Sequence, residues 1–184
     1  MSLELQVSKL QKLKSAILDK ESGNKAMAIG LEKLIKDNFD AISTTEKNKF
    51  GKGSSFWLRM RRGTKSGSTS DLVFVDMPRP VAQRYFGGTI TPTGSKRYLT
   101  IPISAKSYGK SARFFDELEI YTSHLGNKFL VLKKKVRKKT VYEFLYLLKE
   151  RVFTKPNKRV LPSREEMVAN MNESYAVYLK SRTK

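Results

Sequence analysis

Residues 129–152 read FLVLKKKVRKKTVYEFLYLLKERV, and this stretch decides the expected fold. It opens with Phe129–Leu132, a short apolar run typical of a strand. The end of the stretch, Val141–Val152, fits two structures. A strand would place Tyr142, Phe144, Tyr146 and Leu148 on one face, whereas a helix would align Val141, Leu145, Leu148 and Val152. Aromatic richness favours the strand, so we expect two strands separated by a basic run.

Other short runs between residues 71 and 122 also have the composition of strands. They are β-branched or aromatic, and Gly, Pro or Ser bounds them. These runs are Leu72–Val75, Thr89–Thr91, Tyr98–Ile101 and Leu118–Tyr121. Because neighbouring strands are separated by short connections, a mostly antiparallel sheet is expected.

Helices are expected at both ends of the chain. Apolar residues recur every three or four positions in residues 3–18 and again from Met27 to Ile42, with a break at Ser22–Asn24. These two helices could form a hairpin or one kinked arm. Near the C-terminus, Ser163 and Glu166 have the spacing of a capping box, which predicts a helix starting at Ser163.

The expected fold class is therefore α+β: a mostly antiparallel sheet of short strands, with N-terminal helices and a C-terminal helix packed on it. A chain of 184 residues favours a single domain, 1–184. Its expected parts are a helical N-terminal segment at 1–42, a polar flexible loop at 43–70, a β-sheet core at 71–153 and a C-terminal helix at 163–181. Trp57, the only tryptophan, is expected to anchor the loop to the core.

The charge of the chain predicts an acidic partner. There are 37 Lys and Arg against 17 Asp and Glu, a formal net charge of +20. Nucleic acid or an acidic protein surface would complement it. No apolar run has the length of a membrane span, and charged residues interrupt the apolar N-terminus, so neither a membrane location nor a signal peptide is expected.

The chain has few of the residue types that catalytic or cofactor-binding sites commonly use. The chain has no Cys and one His, His124, so a thiolate nucleophile and a zinc site of several His or Cys ligands are not expected. The acidic cluster Asp116, Glu117 and Glu119 leads into a strand, where neighbouring side chains point to opposite faces. We therefore expect no enzyme activity, no metal and no cofactor.

Two basic runs are candidates for contact with nucleic acid or an acidic partner. The second run would project from a hairpin tip, where phosphates could be contacted without sequence reading. A solvated turn that resists aggregation is an equal alternative. The first run is Arg59, Arg61 and Arg62 in the loop, and the second is Lys133, Lys134, Lys135, Arg137, Lys138 and Lys139.

Residues 84–102 predict a β-hairpin whose turn and end are set by Gly and Pro residues. Gly87 and Gly88 would allow a tight turn, and a strand from Thr89 would return at Tyr98–Ile101. Pro102 would then end the pairing, because proline donates no backbone hydrogen bond. The candidate contact residues in this stretch are Tyr85, Phe86, Gly87, Gly88, Ile90, Pro92, Leu99 and Pro102.

This stretch resembles the virion-morphogenesis family of tailed bacteriophages, the Mu-like tail-completion and neck proteins. The shared succession is Gly-Gly, Ile, Pro, then Lys, Leu and Ile-Pro, and it occurs here from Gly87 to Pro102. Phe56 and Trp57 resemble an upstream aromatic pair of the family. Leu161, Pro162 and Ser163 resemble the start of its final helix.

The resemblance implies a structural role in virion assembly, in head-tail joining or tail completion. It implies an α+β fold and no cofactor. The implied partners are portal, connector or tail-tube proteins, a homo-oligomeric ring is plausible, and the expected location is the virion, or the host cytoplasm during assembly. The alternative, from the charge, is a nonspecific nucleic-acid-binding protein that uses the basic hairpin tip.

Overall fold

The chain has an α+β fold with antiparallel sheets, as the sequence predicted. The computed structural model describes residues 3–46, 55–136 and 139–183. Helices in these ranges are α1 (Leu3–Leu18), α2 (Lys20–Thr45), α3 (Ser55–Gly63), α4 (Arg79–Phe86) and α5 (Arg164–Arg182). Strands in the same ranges are β1 (Lys65–Ser68), β2 (Val73–Asp76), β3 (Gly88–Ile90), β4 (Leu99–Pro102), β5 (Leu118–Thr122), β6 (Lys128–Val136), β7 (Lys139–Lys149) and β8 (Val152–Thr154).

The chain divides into two compact units. Unit 1 comprises Met1–Phe86 and Pro156–Lys184, and unit 2 is the continuous segment Gly87–Lys155. Unit 1 contains all five α-helices of the described ranges and the β1-β2 pair, whereas unit 2 contains the β3-β8 pair and a sheet in the order β4-β7-β6-β5. The sequence did not anticipate this division, and the single domain stays a prediction.

The two N-terminal helices form one kinked arm. Asp19 alone separates α1 from α2, and its carboxylate accepts a hydrogen bond from the Ser22 amide at 3.1 Å, which caps α2. The predicted break at Ser22–Asn24 is therefore wrong, because the capping carboxylate lies three residues earlier. Gly23 is helical and buried, and a Cβ there would lie 2.6 Å from the Tyr175 ring. This glycine allows α5 to approach rather than ending a helix.

The predicted flexible loop at 43–70 is wrong where the structure describes it. Residues 55–63 form α3 and residues 65–68 form β1, while residues 47–54 lie outside the described ranges. The helix forms because Trp57 and Met60 share one face and are both buried in the core of unit 1. Trp57 is 3% exposed and stacks on Phe39 with ring centroids 5.5 Å apart, so its predicted packing into the core is confirmed, although the segment that it anchors is a helix and not a loop.

A half-buried carboxylate joins α2 to the β1-β2 hairpin. Glu32 accepts hydrogen bonds from the amide and the hydroxyl of Ser66, at 2.6 and 2.5 Å, and also pairs with Lys36. Hydrogen bonds from Lys36 and then Ser66 lower the pKa of Glu32 from 4.5 to about 2. The ionised carboxylate therefore stabilises the folded state.

We predict that Glu32→Gln lowers the free energy of unfolding by about 2 kcal/mol at pH 7. A depressed folded-state pKa contributes stability that is complete above the unfolded value of 4.5 and is lost as pH falls through about 2. Denaturant unfolding across this range should therefore show a smaller loss for the variant than for the wild type. Glu173→Gln, an exposed carboxylate on α5, is the matched control. Equal pH dependence in wild type and Glu32→Gln would contradict the assignment.

The C-terminal helix packs closely on α2. The predicted capping box is confirmed, since the Ser163 hydroxyl accepts from the Glu166 amide at 3.2 Å and the Glu166 carboxylate accepts from the Ser163 amide at 2.7 Å. Farther along, a Cβ at Gly30 would lie 1.9 Å from the Ser174 hydroxyl oxygen. The absence of a side chain at this position therefore sets how closely the two helices approach.

The predicted hairpin from Thr89 to Ile101 is wrong. β3 pairs with β8, with Ile90 opposite Val152, and β4 pairs with β7, with Ile101 opposite Leu147. β3 is only three residues long and is followed within two residues by Pro92, which has no amide to donate to a partner strand. Both segments therefore pair with strands that come later in the chain.

A β-bulge lies at the centre of the sheet in unit 2. The adjacent residues Leu130 and Val131 of β6 face Tyr146 and Phe144 of β7, which leaves Leu145 as an extra residue. Leu145 is fully buried, and its carbonyl oxygen accepts from the Ser107 hydroxyl at 2.6 Å and from the Ile103 amide at 2.9 Å. The connection after β4 thus satisfies the carbonyl of the bulge.

We predict that Ser107→Ala destabilises the protein by about 1–2 kcal/mol. The Ser107 side chain is fully buried, and its loss removes a hydrogen bond to the bulge and leaves part of a buried carbonyl unsatisfied. Thermal or denaturant unfolding measures the change, with Ser95→Ala in an exposed turn as the matched control. An unchanged unfolding midpoint in Ser107→Ala would show that the bulge does not depend on this contact.

Candidate functional site

A basic two-stranded arm extends from the sheet of unit 2. We define the basic arm as residues 133–136 of β6 and 139–142 of β7, which pair from Lys133 opposite Tyr142 to Val136 opposite Lys139. The pairing of β5 ends at Leu132, and that of β4 ends at Tyr146. Within the described ranges, no strand therefore covers either edge of the arm. The predicted hairpin position of Lys133, Lys134, Lys135 and Lys139 is confirmed, while Arg137 and Lys138 lie outside the described residues.

The bulge changes which face of the sheet each aromatic side chain of β7 occupies. Without an extra residue, Tyr142, Phe144 and Tyr146 would share a face, as the alternation predicted. The register instead places Phe144 opposite Val131 and Tyr146 opposite Leu130. Because Leu130 and Val131 are neighbours, their side chains lie on opposite faces. The predicted common face is therefore wrong, although the predicted strand is confirmed.

Four rings cluster on one face of the sheet, which we call the aromatic face. The Phe144 ring lies 5.2 Å from Phe129 and 5.4 Å from Tyr121, and Tyr121 lies 5.5 Å from Tyr142, measured between centroids. Val131 lies beneath the rings and is 1% exposed, so the rings shield this side chain from solvent. Tyr121, Tyr142 and Phe144 are nevertheless 36–39% exposed, which leaves part of each ring open to solvent.

Sequence reasoning missed the aromatic face. A signal for it exists in residues 144–148, which read FLYLL. A strand with one solvated face would carry a polar residue at every second position, so an unbroken apolar run indicates that both faces pack. A change of face through a bulge agrees with that composition.

The charges on the two faces of the arm differ. Lys133 and Lys135 belong to the aromatic face by strand alternation, where the nearest carboxylate is Glu119, 3.8 Å from Lys133 Nζ. On the opposite face, Glu143 pairs with Lys134 at 2.8 Å and with Lys106 at 3.2 Å. Hydrogen bonds from Lys134 and Lys106 lower the pKa of Glu143. The negative charge of Glu143 is therefore neutralised by lysines on the face opposite the rings.

The arginine run belongs to a separate surface. Arg59, Arg61 and Arg62 lie on α3 in unit 1, whereas the basic arm lies in unit 2. Arg61 Nε lies 2.9 Å from a carboxylate oxygen of Asp40, close enough for an ion pair but without hydrogen-bond geometry. Arg59 and Arg62 are exposed. The structure thus presents two basic groups, each on its own unit.

The candidate contact residues are also divided between the units. Tyr85 and Phe86 end α4 in unit 1, where Lys158 Nζ lies 4.0 Å from the Tyr85 ring centroid and 5.0 Å from that of Phe86. Gly87 follows with φ of 72°, so the glycine stops a helix rather than turning a hairpin. Phe86 is 67% exposed, the largest apolar exposure in the candidate set.

The remaining candidate contact residues lie in unit 2. Gly88 and Ile90 bound β3, Leu99 and Pro102 bound β4, and Pro92 lies in the connection between them. The side chains of Ile90, Leu99 and Pro102 are half-buried. These positions define strand boundaries, and their contact role stays a prediction.

Helix α1 leaves most of its described apolar side chains exposed. Ala16 is buried and Leu13 is half-buried, whereas Leu10 is 65% exposed and Leu18 is 70% exposed. Val7 and Ile17 are also about half exposed. The apolar stripe that predicted this helix is therefore only partly used for packing within the chain.

Groups for metal binding do not converge in the described residues. His124 lies in the turn between β5 and β6, and Glu117 has φ of 59° in the connection that leads into β5. Within the ranges that the structure describes, no three His, Cys, Asp or Glu side chains are placed to hold a metal ion. No helix in those ranges is long and apolar enough to cross a membrane.

Comparison of the chain with protein-family models, with curated proteins and with solved structures finds no match in any of the three. The resemblance to the virion-morphogenesis family therefore rests on the quoted residues alone. The structure presents three candidate binding surfaces: the exposed stripe of α1, the basic arm and the aromatic face.

Proposed function

We propose that this chain is a structural protein of a tailed bacteriophage or prophage and acts in virion assembly, in head-tail joining or tail completion. Its partners would be portal, connector or tail-tube proteins, and a closed ring of copies is compatible with such a position. The protein would reside in the virion, and in the host cytoplasm during assembly. It would act through protein-protein contacts and not as an enzyme.

The exposed apolar stripe of α1 is the observation that carries this proposal. Val7, Leu10, Ile17 and Leu18 lie on one side of the helix and are exposed, with Lys14 between them on the same side. Exposed apolar surface of this kind is typical of sites where an amphipathic helix docks on another protein. Lys9, Lys12 and Lys14 on the same helix would favour a partner with acidic residues around an apolar groove.

We predict that Leu10→Asp combined with Ile17→Asp weakens assembly at least about tenfold, because each substitution places a charge in an apolar contact. The measurement is a pull-down against the products of the genes that flank its own, together with light scattering after size-exclusion chromatography. Both residues are exposed, so the thermal unfolding midpoint should stay near that of the wild type.

Ser8→Asp adds the same type of charge on the polar side of α1 and is the matched control. It should retain assembly. A wild-type protein that remains an inert monomer with every flanking gene product would refute the proposed assembly role. Equal assembly by the Leu10→Asp, Ile17→Asp variant would instead remove α1 from that role.

A second candidate function, nonspecific nucleic-acid binding, is favoured by the basic arm. The arm extends beyond its neighbouring strands, and no carboxylate in the described ranges lies within ion-pair distance of Lys135 or Lys139. Lysines on an uncovered hairpin can approach phosphates without being held by internal ion pairs. A phage neck or tail protein could use such an arm where DNA passes.

We predict that alanine at Lys133, Lys135 and Lys139 makes the log-log salt dependence of DNA binding less steep by roughly 2–3, because each lost phosphate contact removes about 0.9 from the slope on duplex DNA. Fluorescence anisotropy with a labelled duplex measures it. Alanine at Lys9, Lys12 and Lys14 of α1 removes the same charge elsewhere and should leave the slope nearly unchanged. No binding by the wild type at about 50 mM salt would refute this function.

A further inference from the structure

The basic arm and the aromatic face are one continuous surface. Tyr142 belongs to both, since it ends the arm opposite Lys133 and its ring lies 5.5 Å from that of Tyr121. Lys133 and Lys135 project on the same side of the strands as the rings. A ligand lying along the arm would therefore meet positive charge first and exposed ring surface next.

We propose that this surface binds single-stranded nucleic acid, with bases stacked on Tyr142, Tyr121 and Phe144 and with phosphates at Lys133 and Lys135. The inference rests on the second proposed function and names its ligand. Proteins that bind single strands without sequence preference combine a basic track with aromatic platforms. Antiparallel sheets can present such rings to two or three successive bases.

The rings favour a single strand over a duplex. In a duplex the faces of the bases are stacked on one another, so an aromatic side chain outside the helix has no base face to contact. Lysines alone would serve either form, because both carry phosphates. The partial exposure of three neighbouring rings beside the lysines is what distinguishes the two ligands.

The arrangement of charge leaves the lysines on the aromatic face available to an anionic ligand. Glu143 and its two lysine partners occupy the opposite face, so the strongest internal ion pairs of the arm lie away from the rings. On the aromatic face, Glu119 lies 3.8 Å from Lys133, and both side chains are about half exposed. An ion pair this exposed contributes little to stability, so a phosphate can replace the carboxylate at small cost.

The rings differ in how much the fold depends on them. Phe144 packs edge-on against both Phe129 and Tyr121 and helps to cover Val131. Tyr142 stands at the margin of the cluster, where Tyr121 is its ring neighbour at 5.5 Å. Substitutions at Tyr142 therefore test ligand contact with the least disturbance of the sheet.

The test compares Tyr142→Leu with Tyr142→Phe in the full chain. The ligands are an oligothymidine, an oligouridine and a duplex of equal length, with 2-aminopurine at one position of a single strand to report stacking. We expect Tyr142→Leu to weaken single-strand binding roughly 5- to 100-fold and to reduce the change in 2-aminopurine fluorescence. Tyr142→Phe keeps a ring and should bind like the wild type.

Two further readouts separate stacking from charge and from misfolding. Tyr142→Leu should leave the salt slope unchanged, because it removes no phosphate contact, whereas alanine at Lys133 and Lys135 should reduce the slope by about 0.7 per contact on a single strand. Duplex binding by Tyr142→Leu should stay within about twofold of the wild type. That retained binding would also show that the arm is intact.

Equal binding of single strand and duplex, with no effect of Tyr142→Leu, would overturn this inference and leave phosphate binding by the arm standing. Absence of binding to every nucleic acid at about 50 mM salt would overturn both. If Tyr142→Leu instead abolished capture of a flanking gene product and left nucleic-acid binding unchanged, the aromatic face would be a protein contact and the inference would be wrong.

Discussion

The buried carbonyl of Leu145 accepts hydrogen bonds from Ser107 and Ile103, and this interaction holds the extra residue of β7 in place. A β-bulge left without these donors would bury an unsatisfied polar group, which is costly. With the bulge fixed, Tyr146 occupies one face of the sheet and Phe144 the other. Both the packing of unit 2 and its exposed rings depend on this one irregularity.

Unit 1 depends on a single helix in a comparable way. α2 supplies Phe39 to the ring stack with Trp57, Glu32 to the hydrogen bonds with Ser66, and Gly30 to the close approach of α5. Glu32 and Phe39 are two turns apart and share one side of the helix, whereas Gly30 lies on the opposite side, so α2 is covered by several elements at once. This central position explains why α2 holds most of the buried residues of the described α-helices, whereas α1 retains exposed apolar ones.

Short sequence patterns predicted the features formed by residues close together in the chain. They did not predict which strands pair when the partners are far apart in the sequence. The capping box at Ser163 and the β6-β7 hairpin follow from residues a few positions apart. The pairing of β3 with β8 joins residues more than 60 positions apart, and no short motif encodes such a partner. The aromatic face was missed because one extra residue inverts the alternation on which the prediction depended.

The first and last residues of unit 2 lie close together, and this affects how such a chain can evolve. In unit 1 the Arg84 carbonyl accepts from the Asn157 amide at 3.0 Å, so the two points where this unit is interrupted lie side by side. In unit 2, Gly88 pairs with Thr154, so its two ends also lie together. A segment whose two ends lie side by side can be inserted into another protein or removed from this one, because a short linker can join the two residues on either side of it. The basic arm and its rings could therefore be gained, lost or replaced without redesign of the helical part.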